Sequence, residues 1–199
     1  MLQKQKISRD DAWNEVLKYN SDKSDLNHYL ESEAVMRKLA EKLGEDKETW
    51  GLLGLVHDID WGITKGNPRE HLTKAPSILK ELGFTDDFII TVISHGYGFD
   101  CAGLLDGKRT KKEEFALASS ETITGLIHAY ALMRGTILGM EIQGLKKKFK
   151  DKRFAASIDR NVIKESENLK ISLDEFFQLA IYAISEIAEK VDLKINKGG

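Results

Sequence analysis

The stretch GLVHDID, residues 54–60, places a histidine and an aspartate at the end of a nearly all-apolar segment. We predict a helix from Glu45 to Asp58 that runs through the core. Its large apolar residues are Trp50, Leu52, Leu53, Leu55 and Val56. Adjacent side chains diverge by about 100° around a helix axis, so His57 and Asp58 can meet one ion only where the helix finishes. Taken alone, the pair also fits an aspartate at a helix terminus beside a core histidine.

Helical periodicity continues on both sides of this stretch and favours an all-α bundle of eight or nine helices. Asp60 to Asn67 is predicted to be a loop, followed by one helix from Pro68 to Gly83. For Phe88 to Ile93 a strand is the alternative interpretation, and the last helix is predicted from Ser172 to about Leu193. Other helices are predicted to begin at or near Ser8, Ser24, Thr85, Lys111, Lys146 and Asp159.

The length of 199 residues predicts one domain, with a core over residues 10–192 and a frayed tail over residues 194–199. No apolar stretch approaches the roughly 18 residues of a membrane span, and Met1 to Asp11 lacks the apolar segment of a secretory signal. The net charge of −2 does not favour general nucleic-acid or membrane binding. A single cysteine, Cys101, excludes an intramolecular disulfide, and together these features favour a cytoplasmic protein.

Further ligand-type side chains lie on predicted apolar helix faces or at helix ends. They are His28, His71, His95 and Glu121. Taken alone, each histidine fits a core residue whose ring is hydrogen-bonded within the protein. Burial of the Glu121 carboxylate without a partner would cost several kcal/mol of stability. Together with His57 and Asp58 they are better explained by a metal centre. His128 lies two turns beyond Glu121, about 10.5 Å along the axis, so we predict a pocket-rim or core position for it.

The order His28, His57-Asp58 and Glu121 resembles the H…HD…D signature of the HD-domain superfamily of metal-dependent phosphohydrolases. The intervening His71 and His95 are similar to the extra histidines of its two-metal members. One branch of the superfamily is also similar in LVHDID (55–60), TGLI (124–127) and KKFKDKRFAA (147–156). The resemblance covers roughly residues 10–192 and implies an HD-domain-like helical bundle.

The sequence departs from the family pattern at two positions. Glu121, in SETITG (120–125), stands where the family usually has aspartate. Asp60-Trp61 follows the HD pair where many catalytic members have glycine and lysine, so a lysine that could touch phosphate is missing. Asp60 is interpreted either as a proton acceptor or, preferentially, as a cap of the following loop.

The resemblance implies one or two divalent transition-metal ions, drawn from Fe, Mn, Ni, Co and Zn. His28, His57 and Glu121 would hold the first ion, His71 and His95 the second, and Asp58 would bridge them. Water bound to the metals would then attack phosphorus, and Asp58 would be the catalytic residue beside it. The implied activity is hydrolysis of a small phosphorylated molecule or nucleotide, and the alternative is a non-catalytic HD module that binds metal or ligand.

Two other segments allow more than one interpretation. The basic run from Lys146 to Arg153 is typical of a solvated face, but Lys148 and Arg160 are candidates for phosphate binding. Lys108 to Lys112 is similarly basic and could attract an anionic substrate. The final helix either packs against the bundle or contributes to a homodimer interface.

Overall fold

Capping residues set many of the helix boundaries. The side chains of Ser8, Asp46 and Ser172 accept hydrogen bonds from backbone N–H groups in the first turns of their helices. Gly44 and Gly83 end two helices in the left-handed conformation that glycine adopts without steric cost. Local sequence signals therefore explain where these segments begin or end.

The computed structural model describes residues 2–194, and within them it contains helices and no strand. The α-helices are α1 (Arg9–Tyr19), α2 (Lys23–Leu43), α3 (Lys47–Val56), α4 (Trp61–Thr64), α5 (Ala75–Leu82), α6 (Asp86–Ile93), α7 (Lys112–Arg134), α8 (Ile142–Lys150), α9 (Arg160–Lys164) and α10 (Leu173–Glu186). Short 3-10 helices span Pro68–Glu70, Ser94–Gly96 and Glu165–Leu169. The predicted all-α bundle is confirmed.

Helix α3 lies at the centre of the fold, and its residues from Thr49 to Val56 are all buried. It packs most extensively against α2, which also contacts α7 and α10. Gly54 makes the close approach of α2 and α3 feasible, because a Cβ built on it would lie 2.5 Å from the backbone oxygen of Ser32. This packing fixes the end of α3, where the HD pair lies.

Several predicted boundaries were wrong. Ser24 lies inside α2, whose N-cap is Asp22, and the predicted loop after Asp60 contains the four-residue helix α4. The predicted helix from Pro68 to Gly83 is divided into a 3-10 turn and α5. The reason is that the backbone N–H groups between them donate to the carboxylate of Asp60 instead of to helix carbonyls. Helix α10 ends at Glu186, and turns replace the predicted helix up to Leu193.

None of the helices in residues 2–194 combines the length and apolar character that a membrane crossing requires. The predicted frayed tail lies outside the described residues except for Lys194, whose backbone N–H donates to the oxygen of Ala188. The single-domain organisation stays a prediction.

Candidate metal centre

Two groups of three side chains bring their ligand atoms together. In each group the atoms lie within 4.8 Å of one another. The first triad consists of His28, His57 and Asp58, and the second of Asp58, His71 and His95. Helix α2 carries His28, the turn after α3 carries His57 and Asp58, and the segments before α5 and after α6 carry His71 and His95. The sequence-predicted histidines other than His128 are thus gathered around one aspartate.

Asp58 offers one carboxylate oxygen to each triad. Its Oδ2 lies 3.5 Å from Nε2 of His57 and 4.0 Å from Nε2 of His28. Its Oδ1 lies 3.2 Å from Nε2 of His71 and 3.1 Å from Nε2 of His95. This arrangement suits a carboxylate that bridges two cations.

The other ring nitrogen of each histidine is engaged away from the triads. Nδ1 of His57 donates to the oxygen of Gly54 at 2.8 Å, and Nδ1 of His95 donates to the oxygen of Val92 at 2.7 Å. Backbone carbonyls only accept hydrogen bonds, so both rings carry their proton on Nδ1. Nε2 of each ring is then left with a free lone pair for a ligand.

His28 and His71 are fixed in the same tautomer by side chains. Nδ1 of His28 lies 2.8 Å from Oγ1 of Thr124, and that hydroxyl already donates to the oxygen of Glu121 at 2.7 Å. Nδ1 of His71 lies 3.2 Å from the carboxylate of Asp60. In both pairs Nδ1 must be the donor, so Nε2 is the ring nitrogen that faces the triads in all four histidines.

These ring orientations bring pairs of Nε2 atoms face to face. Nε2 of His28 is 3.0 Å from Nε2 of His57, and Nε2 of His71 is 3.3 Å from Nε2 of His95. Two such nitrogens repel unless a cation, either a proton or a metal ion, lies between them. Imidazole nitrogens with a carboxylate form a donor set typical of divalent transition metals. The residues of both triads therefore fit a metal ion.

Burial and charge perturb these groups strongly. Burial lowers the pKa of His57 to about 3, so its ring is neutral and available as a ligand at neutral pH. Burial opposes ionisation of Asp58, but the neighbouring histidines, His57 first, hold its pKa well below the ordinary value. For His71, burial disfavours the cation, yet the carboxylates of Asp58 and Asp60 outweigh it and raise the pKa to about 10. The site concentrates negative charge that a cation can neutralise.

Asp60 organises the segment that carries His71. Its buried carboxylate accepts from the backbone N–H groups of Leu72, Lys74 and Ala75 at 3.2, 2.9 and 3.0 Å, in addition to Nδ1 of His71. The loop-cap interpretation describes these contacts. Asp60 also orients a candidate ligand, as carboxylates behind metal-bound histidines commonly do.

Asp60→Asn is expected to lower the free energy of unfolding by about 2 kcal/mol, because its amide NH2 would face N–H donors on one side. It should also weaken metal affinity about 10- to 100-fold through the loss of His71 orientation. Urea unfolding and metal titration measure the two effects. The control is Asp46→Asn, since Asp46 accepts one N–H bond at the start of α3 and asparagine caps a helix equally well. Equal losses in both variants would contradict the role of Asp60.

A cavity of about 600 Å³ opens beside the triads. Its wall includes Trp61, packed edge-on against His71 with ring centroids 5.2 Å apart, and the apolar side chains of Phe99 and Leu132. The pair His128 and Glu31 also lines it, with Nδ1 of His128 2.6 Å from the Glu31 carboxylate. The cavity gives a small molecule access to Asp58.

Glu121 faces the cavity, but its carboxylate belongs to neither triad. It accepts a hydrogen bond from the hydroxyl of Thr122 at 2.5 Å, and burial raises its pKa to about 7. Its backbone oxygen, which anchors Thr124 behind His28, is the part of the residue in contact with the metal-site network. Ligation by the Glu121 side chain stays a prediction.

The two candidate phosphate-binding residues, Lys148 and Arg160, are not among the residues that line the cavity. The guanidinium of Arg160 donates to backbone oxygens of Phe154, Ala155 and Ile158 and so braces the loop before α9. The ammonium of Lys148 lies 4.7 Å from the ring centroid of Phe154. The structure does not bring either side chain to the triads.

Arg109 is a positioning residue that the sequence analysis missed. Its buried guanidinium donates to the backbone oxygens of Ser94, His95 and Tyr97 and forms a bidentate ion pair with Glu165. It thereby fixes the turn that presents His95. The one sequence feature at Arg109 is the basic run from 108 to 112, and from that run we predicted a charge that could attract an anionic substrate.

Comparison with protein families adds one finding. The family model described as HD domain matches residues 25–119, which include both triads. Comparison with curated proteins and with solved structures finds no match. The family resemblance carried by His28 and His57-Asp58 is confirmed.

Proposed function

We propose that this protein is a metal-dependent phosphohydrolase that cleaves a phosphomonoester beside Asp58, because the HD domain family model matches residues 25–119. The observation that carries the proposal is the pair of triads that share Asp58, with the Nε2 atoms of four histidines within 4.0 Å of its two oxygens. Two metal ions around one carboxylate are typical of centres that stabilise both the attacking and the leaving oxygen of an in-line displacement.

His28 and His57 would hold one ion, His71 and His95 the other, and Asp58 would contact both. Divalent transition metals supply hydroxide near neutral pH and neutralise charge on phosphoryl oxygens. The protein's contribution is to fix the ligands in place. Backbone oxygens hold His57 and His95, and Asp60 holds His71, so none of these rings has to reorient when substrate enters.

The cavity supports the proposal because it reaches Asp58 and has room for a small substrate. Trp61 on its wall packs against His71 and limits the access of bulk water to that side of the second triad. Elsewhere on the cavity lining, buried Glu31 fixes the ring of His128. These groups position the organic part of a substrate while its phosphoryl group faces the triads.

The proposal is tested by assaying phosphomonoesters and nucleotides with protein loaded with Mn, Fe, Ni or Co. We expect hydrolysis with at least one metal and its loss in the variant His57→Ala with Asp58→Ala. The control is Lys148→Ala, outside the cavity lining. Tight metal binding with no turnover of any substrate would overturn the proposal and favour a non-catalytic binding module.

Purified protein is expected to retain at least one transition-metal ion per chain, measured by elemental analysis. Its removal by a chelator should lower Tm by about 10 °C, because binding at a thousandfold excess over Kd adds about 4 kcal/mol to stability. The double variant His57→Ala with Asp58→Ala should bind no metal and show no response to chelator. Unchanged metal content in that variant would place the metal elsewhere.

A further inference from the structure

The cavity beside the triads is lined by carboxylates and apolar side chains, with no lysine or arginine among its lining residues in the described chain. We propose that the substrate carries one phosphoryl group and no other anionic group, on a neutral or cationic organic part. This inference rests on the proposed phosphohydrolase function and narrows its substrate class, because it excludes nucleoside di- and triphosphates.

Three basic side chains that contact residues of the cavity lining are committed elsewhere. Arg109 is held by Glu165 and three backbone oxygens, and Arg160 by backbone oxygens of its own loop. Lys65 pairs with Asp22 and Asp25 on the surface. A second phosphate or a carboxylate on the substrate would therefore meet no lysine or arginine among the described residues that line the cavity.

Negative charge lies instead along the part of the cavity beyond the triads. Asp25 lines it, with its pKa raised by burial and by the neighbouring Asp58, and Lys65 at 3.5 Å is shared with Asp22. Asp159 lines it as well, capping α9 with its carboxylate. The charge of the Glu31 carboxylate is balanced by His128. Asp25 and Asp159 therefore make this part of the cavity lining acidic. An anionic group there would be repelled, whereas a hydroxyl or ammonium group finds acceptors.

The remaining wall suits hydrocarbon. Phe99 and Leu132 lie at the cavity and are 43% and 53% exposed, and Ile158 lines it as well. Contact with an organic group of a few carbon atoms would cover apolar surface that is otherwise in water. The charge of the phosphoryl dianion is matched by the triads and their ions alone.

The test compares three ligands of equal length that cannot be hydrolysed, bound to the metal-loaded protein and measured by calorimetry. They are 2-aminoethylphosphonate, propylphosphonate and 3-phosphonopropionate, which end in an ammonium, a methyl and a carboxylate group. We expect the carboxylate-ended ligand to bind about tenfold more weakly than the other two. Equal or tighter binding of 3-phosphonopropionate would overturn the inference. Failure of all three and of inorganic phosphate to bind would overturn the proposed function as well.

A charge introduced on the wall gives a second measurement. Leu132→Lys places a cation at the cavity and should raise the affinity for 3-phosphonopropionate relative to propylphosphonate by about tenfold. The matched control is Leu138→Lys, because Leu138 is similarly exposed, at 45%, and lies outside the cavity. An unchanged ratio in Leu132→Lys, in protein of wild-type Tm, would show that wall charge does not select the ligand.

Discussion

Asp58→Asn is expected to abolish metal binding at both triads, with a loss of affinity of more than about 100-fold, since even residues behind a ligand contribute 10- to 100-fold. The reason is that each triad depends on one oxygen of this carboxylate. An amide supplies one neutral oxygen and turns an NH2 group toward the other triad. Elemental analysis and metal titration measure the effect, and phosphatase activity should fall with metal content.

Asp159→Asn is the matched control for this substitution. Asp159 lines the same cavity but belongs to neither triad, and asparagine preserves the cap of α9. Wild-type metal content is expected in this variant. If Asp58→Asn retained two ions per chain, the shared-carboxylate arrangement would be incorrect.

Gly54→Ala is expected to lower the free energy of unfolding by about 3 kcal/mol or more. The new methyl group would lie 2.5 Å from the backbone oxygen of Ser32 and 2.8 Å from the backbone nitrogen of Glu33, so α2 and α3 would have to separate. The oxygen of Gly54 also accepts the Nδ1 proton of His57, so the shift should weaken metal binding in the same variant. Urea unfolding and metal titration test both effects.

Gly51→Ala provides the control on the same helix. A Cβ at Gly51 would meet the side chain of Arg37 at 2.7 Å, and a flexible side chain can move where backbone cannot. Alanine also favours helix over glycine by about 1 kcal/mol, which offsets the cost of moving Arg37. We expect this variant to keep stability within about 1 kcal/mol of wild type. Equal losses in the two variants would show that glycine at Gly54 is not required for close helix packing.

Much of the candidate site was predictable from sequence because metal ligation requires particular residue types, which the sequence shows directly. His57-Asp58 at the end of an apolar segment predicted a ligand pair, and the structure places His28, His71 and His95 around it. The helices were predictable for a similar reason, since apolar periodicity reflects burial and caps are local.

The division between Pro68 and Gly83 was not predictable from local signals. Proline at the first position and apolar periodicity both favour a continuous helix, yet the carboxylate of Asp60 takes three backbone N–H groups there. That interaction depends on the turn after α3, which brings Asp60 to a segment eleven or more residues away. Sequence spacing does not reveal such a contact.

The positions on α7 show a second limit. The motif aligns Glu121 with a metal ligand, and the structure places this residue on the cavity lining outside both triads, with its backbone oxygen anchoring Thr124. His128 and Glu31, from α7 and α2, form a pair on the cavity wall that only tertiary packing brings together. Arg109 is likewise recognisable only from its carbonyl partners.

The single carboxylate between the triads makes their occupancies interdependent. An ion at one triad withdraws negative charge from Asp58 and so changes the free energy of binding at the other. By linkage, the coupling is the same in whichever order the ions arrive. Because His28 and His95 lie on opposite sides of Asp58, a substitution confined to one triad, such as His95→Ala, should shift the metal isotherm of the other. The two candidate metal sites would thus be separate in geometry but coupled in their binding free energies.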